Sequence, residues 1–182
     1  MATHSDFKRG AILYANKCGN NMIIFWSYAK LDNKKPHNKL TKLREAFKTS
    51  LDQATGFKNR ILVDESDLKW GVKWKKEIPR LISKSDSVIT IISPSYFNSR
   101  MCIYELGLAQ NSGKTILPIY YRSCPKGLKS SFKEDTGGNI RLNSISTIIS
   151  GIQYKDFREL RNKSLESEIV QDFLDLIAEE IF

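Results

Sequence analysis

Few residues in this chain are equipped for chemistry. Its two histidines, His4 and His37, both sit in polar segments, so neither a histidine-based triad nor a histidine-ligated metal is expected. Its three cysteines, Cys18, Cys102 and Cys124, lack paired spacing, which argues against a disulfide framework and against a zinc site. Any chemistry therefore falls to a carboxylate. The stretch SPSYFNSRMCIYELGLAQ, Ser93–Gln110, offers one: it leaves an apolar run, crosses loop-like residues and enters a helix that carries Glu105. Cys102 and Glu105 are three residues apart, so thiol and carboxylate share one side of that helix near its start. Cys102 reads as a small packing residue rather than a nucleophile, because no base lies near it in sequence. Glu105 is either a solvated helix residue or a working carboxylate. In water a lone charge stabilises a developing cation little; in a cleft that excludes water it contributes several kcal/mol, and the neighbours Ile103, Tyr104 and Leu108 are compatible with such a cleft.

A carboxylate works only where rigid elements hold it. The run MIIFWSY, Met22–Tyr28, has strand length, as do RILVD at Arg60–Asp64, SVITIIS at Ser87–Ser93 and TILPIYY at Thr115–Tyr121. Pro118 is awkward for a central ladder position in the last of these. Leu40, Leu43, Phe47, Leu51 and Ala54 recur at helical spacing until Gly56 stops them. Trp74, Ile78, Leu81 and Ile82 predict a second helix, with Pro79 near its first turn or kinking it. A fifth strand is expected near Ser150–Tyr154, after a polar segment between Arg122 and Ser150 that follows no clear pattern. Leu165, Ile169, Phe173, Leu176, Ile177 and Ile181 predict the apolar stripe of a closing helix. Apolar strands separated by helices imply a parallel sheet wrapped on both faces in flavodoxin-like order, and such sheets bind ligands beyond the carboxyl ends of their strands. That rule selects the loops after Trp26, after Val63 and after Ser93.

The chain has 182 residues and a net charge of +9. Its length and apolar share suit one domain, with residues 1–20 as an extension and 21–182 as the folded unit. Residues 164–182 carry six acids and no Lys or Arg, which leaves +15 on residues 1–163. The basic residues are spread out and no stacking aromatics interleave them, so specific nucleic-acid binding is not expected; a solvated basic surface that aids solubility, or steers an anionic small molecule, fits better. No run approaches the roughly 20 apolar residues of a membrane span, and no secretory signal opens the chain, so a cytosolic location without membrane contact is expected.

The three loops carry motifs. They read Phe25-Trp26-Ser27-Tyr28, then Asp64 to Trp74 with Gly71 and Trp70, then Ser99-Arg100-Met101-Cys102-Ile103-Tyr104-Glu105-Leu106 after a Ser-Pro strand exit. In this order and spacing they resemble the Toll/interleukin-1 receptor (TIR) domain family over about residues 21–182, in its bacterial standalone form. The resemblance implies a five-stranded parallel flavodoxin-like sheet with helices on both faces. It also implies one of two functions. Many TIR domains cleave NAD+ at the nicotinamide–ribose bond with the glutamate that follows the cysteine by three, here Glu105; others act as adaptors through TIR–TIR contacts alone. The first reading makes the protein an NAD+ glycohydrolase or ADP-ribosyl cyclase of bacterial antiviral immunity, with NAD+ as substrate and no separate cofactor. Its implied partners are other copies of the same domain and a separate effector or activator protein. Besides Glu105, the implied substrate contacts are Ser27, Tyr28, Lys30, Trp70, Trp74 and Cys102, with Lys30 alone available for a phosphate and Trp70 covering a ligand or a partner. Asp64 and Asp67 are expected to shape their loop rather than react.

Overall fold

A computed structural model describes residues 21–63, 74–124 and 152–182 of the chain, with residues 74–76 described by their backbone only. Five strands form one sheet: β1 (Ile23–Ser27), β2 (Arg60–Leu62), β3 (Ser87–Ile92), β4 (Thr115–Tyr120) and β5 (Lys155–Asp156). Their order is β2-β1-β3-β4-β5 and every pairing is parallel, so the expected flavodoxin-like sheet is present. Helices α1 (Lys39–Thr55), α2 (Trp74–Lys84), α3 (Pro94–Phe97), α4 (Arg100–Asn111) and α5 (Glu168–Ile181) connect and cover the strands. The expectations for residues 1–20, for the loop from Asp64 and Asp67 to Trp70, and for residues 125–151 lie outside the described residues.

The two-residue period of the strands explains the layers. On one face Ile24, Trp26, Ile89 and Ile91 join Leu40, Leu43, Phe47 and Leu51 of α1 with Val170, Leu174, Ile177 and Ile181 of α5. On the other face Phe25, Val88 and Ile92 join Ile78 and Ile82 of α2 with Cys102, Ile103, Leu106 and Ala109 of α4. This second face is interrupted by two hydroxyls, because Ser27 and Thr90 sit opposite one another in register and both are buried. Such a break in an apolar face leaves room for a polar group from the helix above it.

Where the chain departs from expectation, the cause is local. The closing helix buries Val170, Leu174, Ile177, Ala178 and Ile181, whereas Ile169 and Leu176 are 55% and 47% exposed. The stripe read from sequence is therefore displaced around the helix, since two apolar stripes at helical spacing overlap at Ile177 and Ile181 and only one can face the sheet. The fifth strand starts at Lys155, beyond the expected Ser150–Tyr154. Among the described residues its ladder to β4 begins at Ile119, one residue past Pro118, so the missing N–H interrupts no bond of that ladder. Pro79 lies inside α2, which continues past it to Lys84.

The α1–β2 turn is fastened by polar groups. Gly56 ends α1 at a φ of 71° and donates its N–H to the Asp52 carbonyl, a conformation glycine adopts without strain. Asn59, buried, accepts from the Met22 N–H at 2.9 Å and donates to Thr55 Oγ1 at 2.7 Å, which ties the entry of β1 to the end of α1. The Asp52 carboxylate accepts from the Asn59 N–H at 2.8 Å. Partial burial raises the pKa of Asp52, but the bonds from Lys48 and Asn59 outweigh it and hold the carboxyl below its usual value.

Two outcomes follow from this packing. Leu174→Ala should cost about 2–5 kcal/mol and Leu176→Ala within about 0.5 kcal/mol, read from urea midpoints. Because the folded pKa of Asp52 is depressed, its contribution is complete above the unfolded value near 3.8 and is lost as pH falls through the lower folded value. Asp52→Asn should flatten that acid limb of a stability–pH curve.

Candidate active site

The site forms where β1 and β3 end. After Ser27 the chain leaves the sheet through Tyr28 and Ala29 into a short turn of 3-10 helix at Lys30–Asp32. After Ile92, Ser93 caps α3: its side-chain oxygen accepts from the Tyr96 N–H at 3.0 Å, with Pro94 in the first turn where a missing N–H costs nothing. Ser99 then caps α4, accepting from the Cys102 N–H at 3.3 Å. Two caps within seven residues thus fix the start of α4, and its sheet-facing side presents Cys102 and Glu105.

Glu105 is 2% exposed. A carboxylate so far removed from water needs donors, and one comes from the break in the sheet's apolar face: Ser27 Oγ donates to Glu105 Oε2 at 2.6 Å. Ser27 Oγ lies 3.0 Å from the Tyr96 hydroxyl, which also reaches the Cys102 carbonyl at 3.3 Å. Tyr96 is fully buried, and burial pushes its hydroxyl's pKa well above the usual value, with the charges of Cys102 and Glu105 acting in the same direction. The Tyr96 hydroxyl therefore keeps its proton.

A cleft of about 300 Å³ opens beside the carboxylate, lined by Tyr28, Ala29, Lys30, Leu31, Ser95, Asn98, Ser99, Met101, Cys102 and Glu105. Its rim is held by Asp32, whose side chain is 4% exposed. That carboxylate accepts from Ser93 Oγ and, at 3.2 Å, from Ser95 Oγ, and it pairs with Arg122 Nε at 3.3 Å. One acid thereby joins the segments that follow β1, β3 and β4. No group of His, Cys, Asp and Glu among the described residues is arranged to hold a metal ion.

Of the residues expected from sequence, Tyr28, Lys30, Cys102 and Glu105 come together in the cleft. Ser27 stands deeper. It is 1% exposed and its hydroxyl is engaged with Glu105 and Tyr96, so it supports the carboxylate from beneath the cleft. Trp74 opens α2, but its side chain and the whole of Trp70 lie outside the described residues. Two residues of consequence were missed. Tyr96 reads as one more aromatic in an apolar stretch, and the Ser93 cap that precedes it fixes its backbone without marking the partner of its hydroxyl. Asp32 is the one acid in the basic segment AKLDNKK, which was a signal that it neutralises something.

A family profile for the TIR domain matches residues 24–169. Over 69 residues the chain is 32% identical to a probable 2' cyclic ADP-D-ribose synthase, BdTIR, of Brachypodium distachyon, a match that spans 38% of this chain and 31% of that protein. Among solved structures, the TIR domains of the activated Roq1 resistosome directly recognizing the pathogen effector XopQ superpose with a TM-score of 0.61 at 18% identity, covering 89% of this chain and 100% of that one. The TIR domain of the Toll-related receptor TRR-2 from Hydra magnipapillata aligns with a TM-score of 0.47 at 22% identity, over 74% of this chain and 82% of that one. At such identities the likeness to Roq1 speaks for the fold alone. With the family profile covering most of its length and a five-stranded parallel sheet beneath it, the chain belongs to the TIR domain family.

Proposed function

We propose that this protein is an NAD+-consuming enzyme that cleaves the bond between nicotinamide and ribose, with Glu105 as its catalytic carboxylate. The observation that carries this reading is a glutamate that is 2% exposed yet forms part of a cleft wall, with a serine hydroxyl donating to it. A glutamate with a merely structural role on a helix is ordinarily solvated. The similarity of one segment to a probable 2' cyclic ADP-D-ribose synthase supports the same substrate class.

The chemistry suits a single acid. When the ribosyl–nicotinamide bond breaks, its electron pair stays on the pyridine nitrogen, the nicotinamide leaves neutral without needing a proton, and the sugar is left oxocarbenium-like. Glu105 stabilises that cation across a water-poor cleft, the setting in which a fixed charge acts most strongly. The sugar carbon is then attacked by water, giving ADP-ribose and releasing one proton, or by a nucleophile of the same dinucleotide, giving a cyclic ADP-ribose isomer and likewise releasing a proton. In this reading Lys30, exposed at the cleft's rim, takes the pyrophosphate, and Tyr28 the sugar or ring; that both line the cleft supports these roles. NAD+ is the substrate, and the reading requires no separate cofactor. A place in bacterial antiviral immunity, with a separate effector or activator protein, extends the reading on the resemblance alone.

Homotypic assembly belongs to the same proposal. Ile169 and Leu176 leave an apolar stripe on the outer side of α5, a surface that a second copy would cover. That stripe also favours the competing reading, an adaptor that binds and does not catalyse.

Nicotinamide release from NAD+ separates the two, measured in dilute solution and again under crowding or on a scaffold. The wild type should release nicotinamide, and Glu105→Gln should lower the rate by at least about 100-fold. Failure of the wild type in both conditions would overturn the enzymatic reading in favour of the adaptor. Lys30→Ala should raise KM by about 10-fold and leave kcat within about twofold, the signature of lost ground-state binding.

A further inference from the structure

Glu105 does not stand on its own helix's resources. Ser27 reaches it from β1, and Tyr96 reaches Ser27 from α3. The direction of these bonds follows from counting protons. A serine hydroxyl has one hydrogen, and in the 2.6 Å contact that hydrogen points to Glu105 Oε2. In the 3.0 Å contact between Ser27 Oγ and the Tyr96 hydroxyl, Tyr96 must then be the donor. The Cys102 carbonyl, 3.3 Å away, competes weakly for the same hydrogen and anchors the phenol to the first turn of α4. Hydrogen bonds in such a chain polarise one another, so the Tyr96 donation makes Ser27 a better donor to the carboxylate.

We infer that Tyr96 is a positioning residue for Glu105: through Ser27 it aims the carboxylate into the cleft and favours its charged form. The inference rests on the reading of Glu105 as the catalytic group, and it adds a residue that touches no substrate. All three side chains are at most 2% exposed, so water does not substitute for any of them at low cost. The relay also spans separate elements. Ser27 and Tyr96 are 69 positions apart and Ser27 and Glu105 are 78 apart, so the orientation of the carboxylate depends on β1, α3 and α4 being docked together. Among the described residues, the titratable groups around Glu105 include Tyr96 on α3, Cys102 on its own helix, and Tyr28 and Lys30 from the segment after β1, which share its cleft. Burial holds the pKa of the Tyr96 hydroxyl well above its usual value, so it remains able to donate across the acid and neutral range.

The sign of the effect is fixed. Removing a donor chain that favours the charged form of an acid raises the pH at which the acid loses its charge. Tyr96→Phe keeps the ring and removes only the hydroxyl. In the pH profile of nicotinamide release it should move the acid limb upward by about half a unit or more, roughly a threefold loss on the acid side, with KM unchanged. Ser27→Ala cuts the same chain at its middle, so it should move the limb in the same direction, and the double variant should do no more than Ser27→Ala alone. A uniform loss of rate at all pH values, or additive effects of the two substitutions, would overturn the relay. Urea midpoints provide a readout that needs no turnover: Tyr96→Phe and Glu105→Gln should be non-additive at neutral pH and closer to additive in acid, since protonating a carboxylate abolishes the charge that the relay favours. Midpoints that add at neutral pH overturn the relay even in an active enzyme. Absence of nicotinamide release from the wild type sinks the proposed function, and the midpoints still decide the relay.

Discussion

A carboxylate removed from water must be met by donors or it will not stay charged. In this protein one such donor is the hydroxyl of Ser27, on an interior strand of the sheet. Everything around Glu105 serves that meeting. β1 must present Ser27 on the α4 face, which its alternation does by sending Ile24 and Trp26 to the α1 face and Phe25 and Ser27 to the other. α4 must begin at a fixed point, which the Ser99 cap ensures. The strands on either side must be tightly packed so that water is kept out, and β3 is buried along its whole length. The resulting arrangement exchanges some apolar burial for a held charge, the kind of local compromise that folds make at sites of function.

Asp32 plays the complementary part at the rim. A single carboxylate receives two serine hydroxyls from the segment after β3 and a guanidinium from the segment after β4. Loops at the carboxyl ends of parallel strands are by nature separate, since each belongs to its own crossover. A shared acid makes them one wall. The guanidinium of Arg122 also lies 5.6 Å from the centre of the Tyr121 ring, so the cation that faces Asp32 is supported from its other side.

The strands were legible because each is an apolar run of strand length that ends in polar, loop-like residues, and the candidate glutamate because three such ends carry motifs in order. What was less legible depended on distance or on phase. The partners of Tyr96 and Asp32 lie 69 and 61 positions away, and a phenol or a lone acid gives no local sign of what it will meet. The stripe on α5 failed by phase: Ile169 and Leu176 fit helical spacing as well as Val170 and Leu174 do, and only contact with α1 and the sheet decides between them. The depth of Ser27 was likewise hidden, because sequence locates a strand's end without saying which residue there is covered by the next helix.

The two outer strands are short, three residues in β2 and two in β5, and Arg60 of β2 is exposed. Few backbone donors and acceptors are therefore left unmatched along either border of the sheet, and a positive side chain stands at one of them. A neighbouring molecule finds little there to zip onto. Strand addition at those borders is thereby disfavoured, and the exposed helix flank carrying Ile169 and Leu176 is the more apolar of the two surfaces.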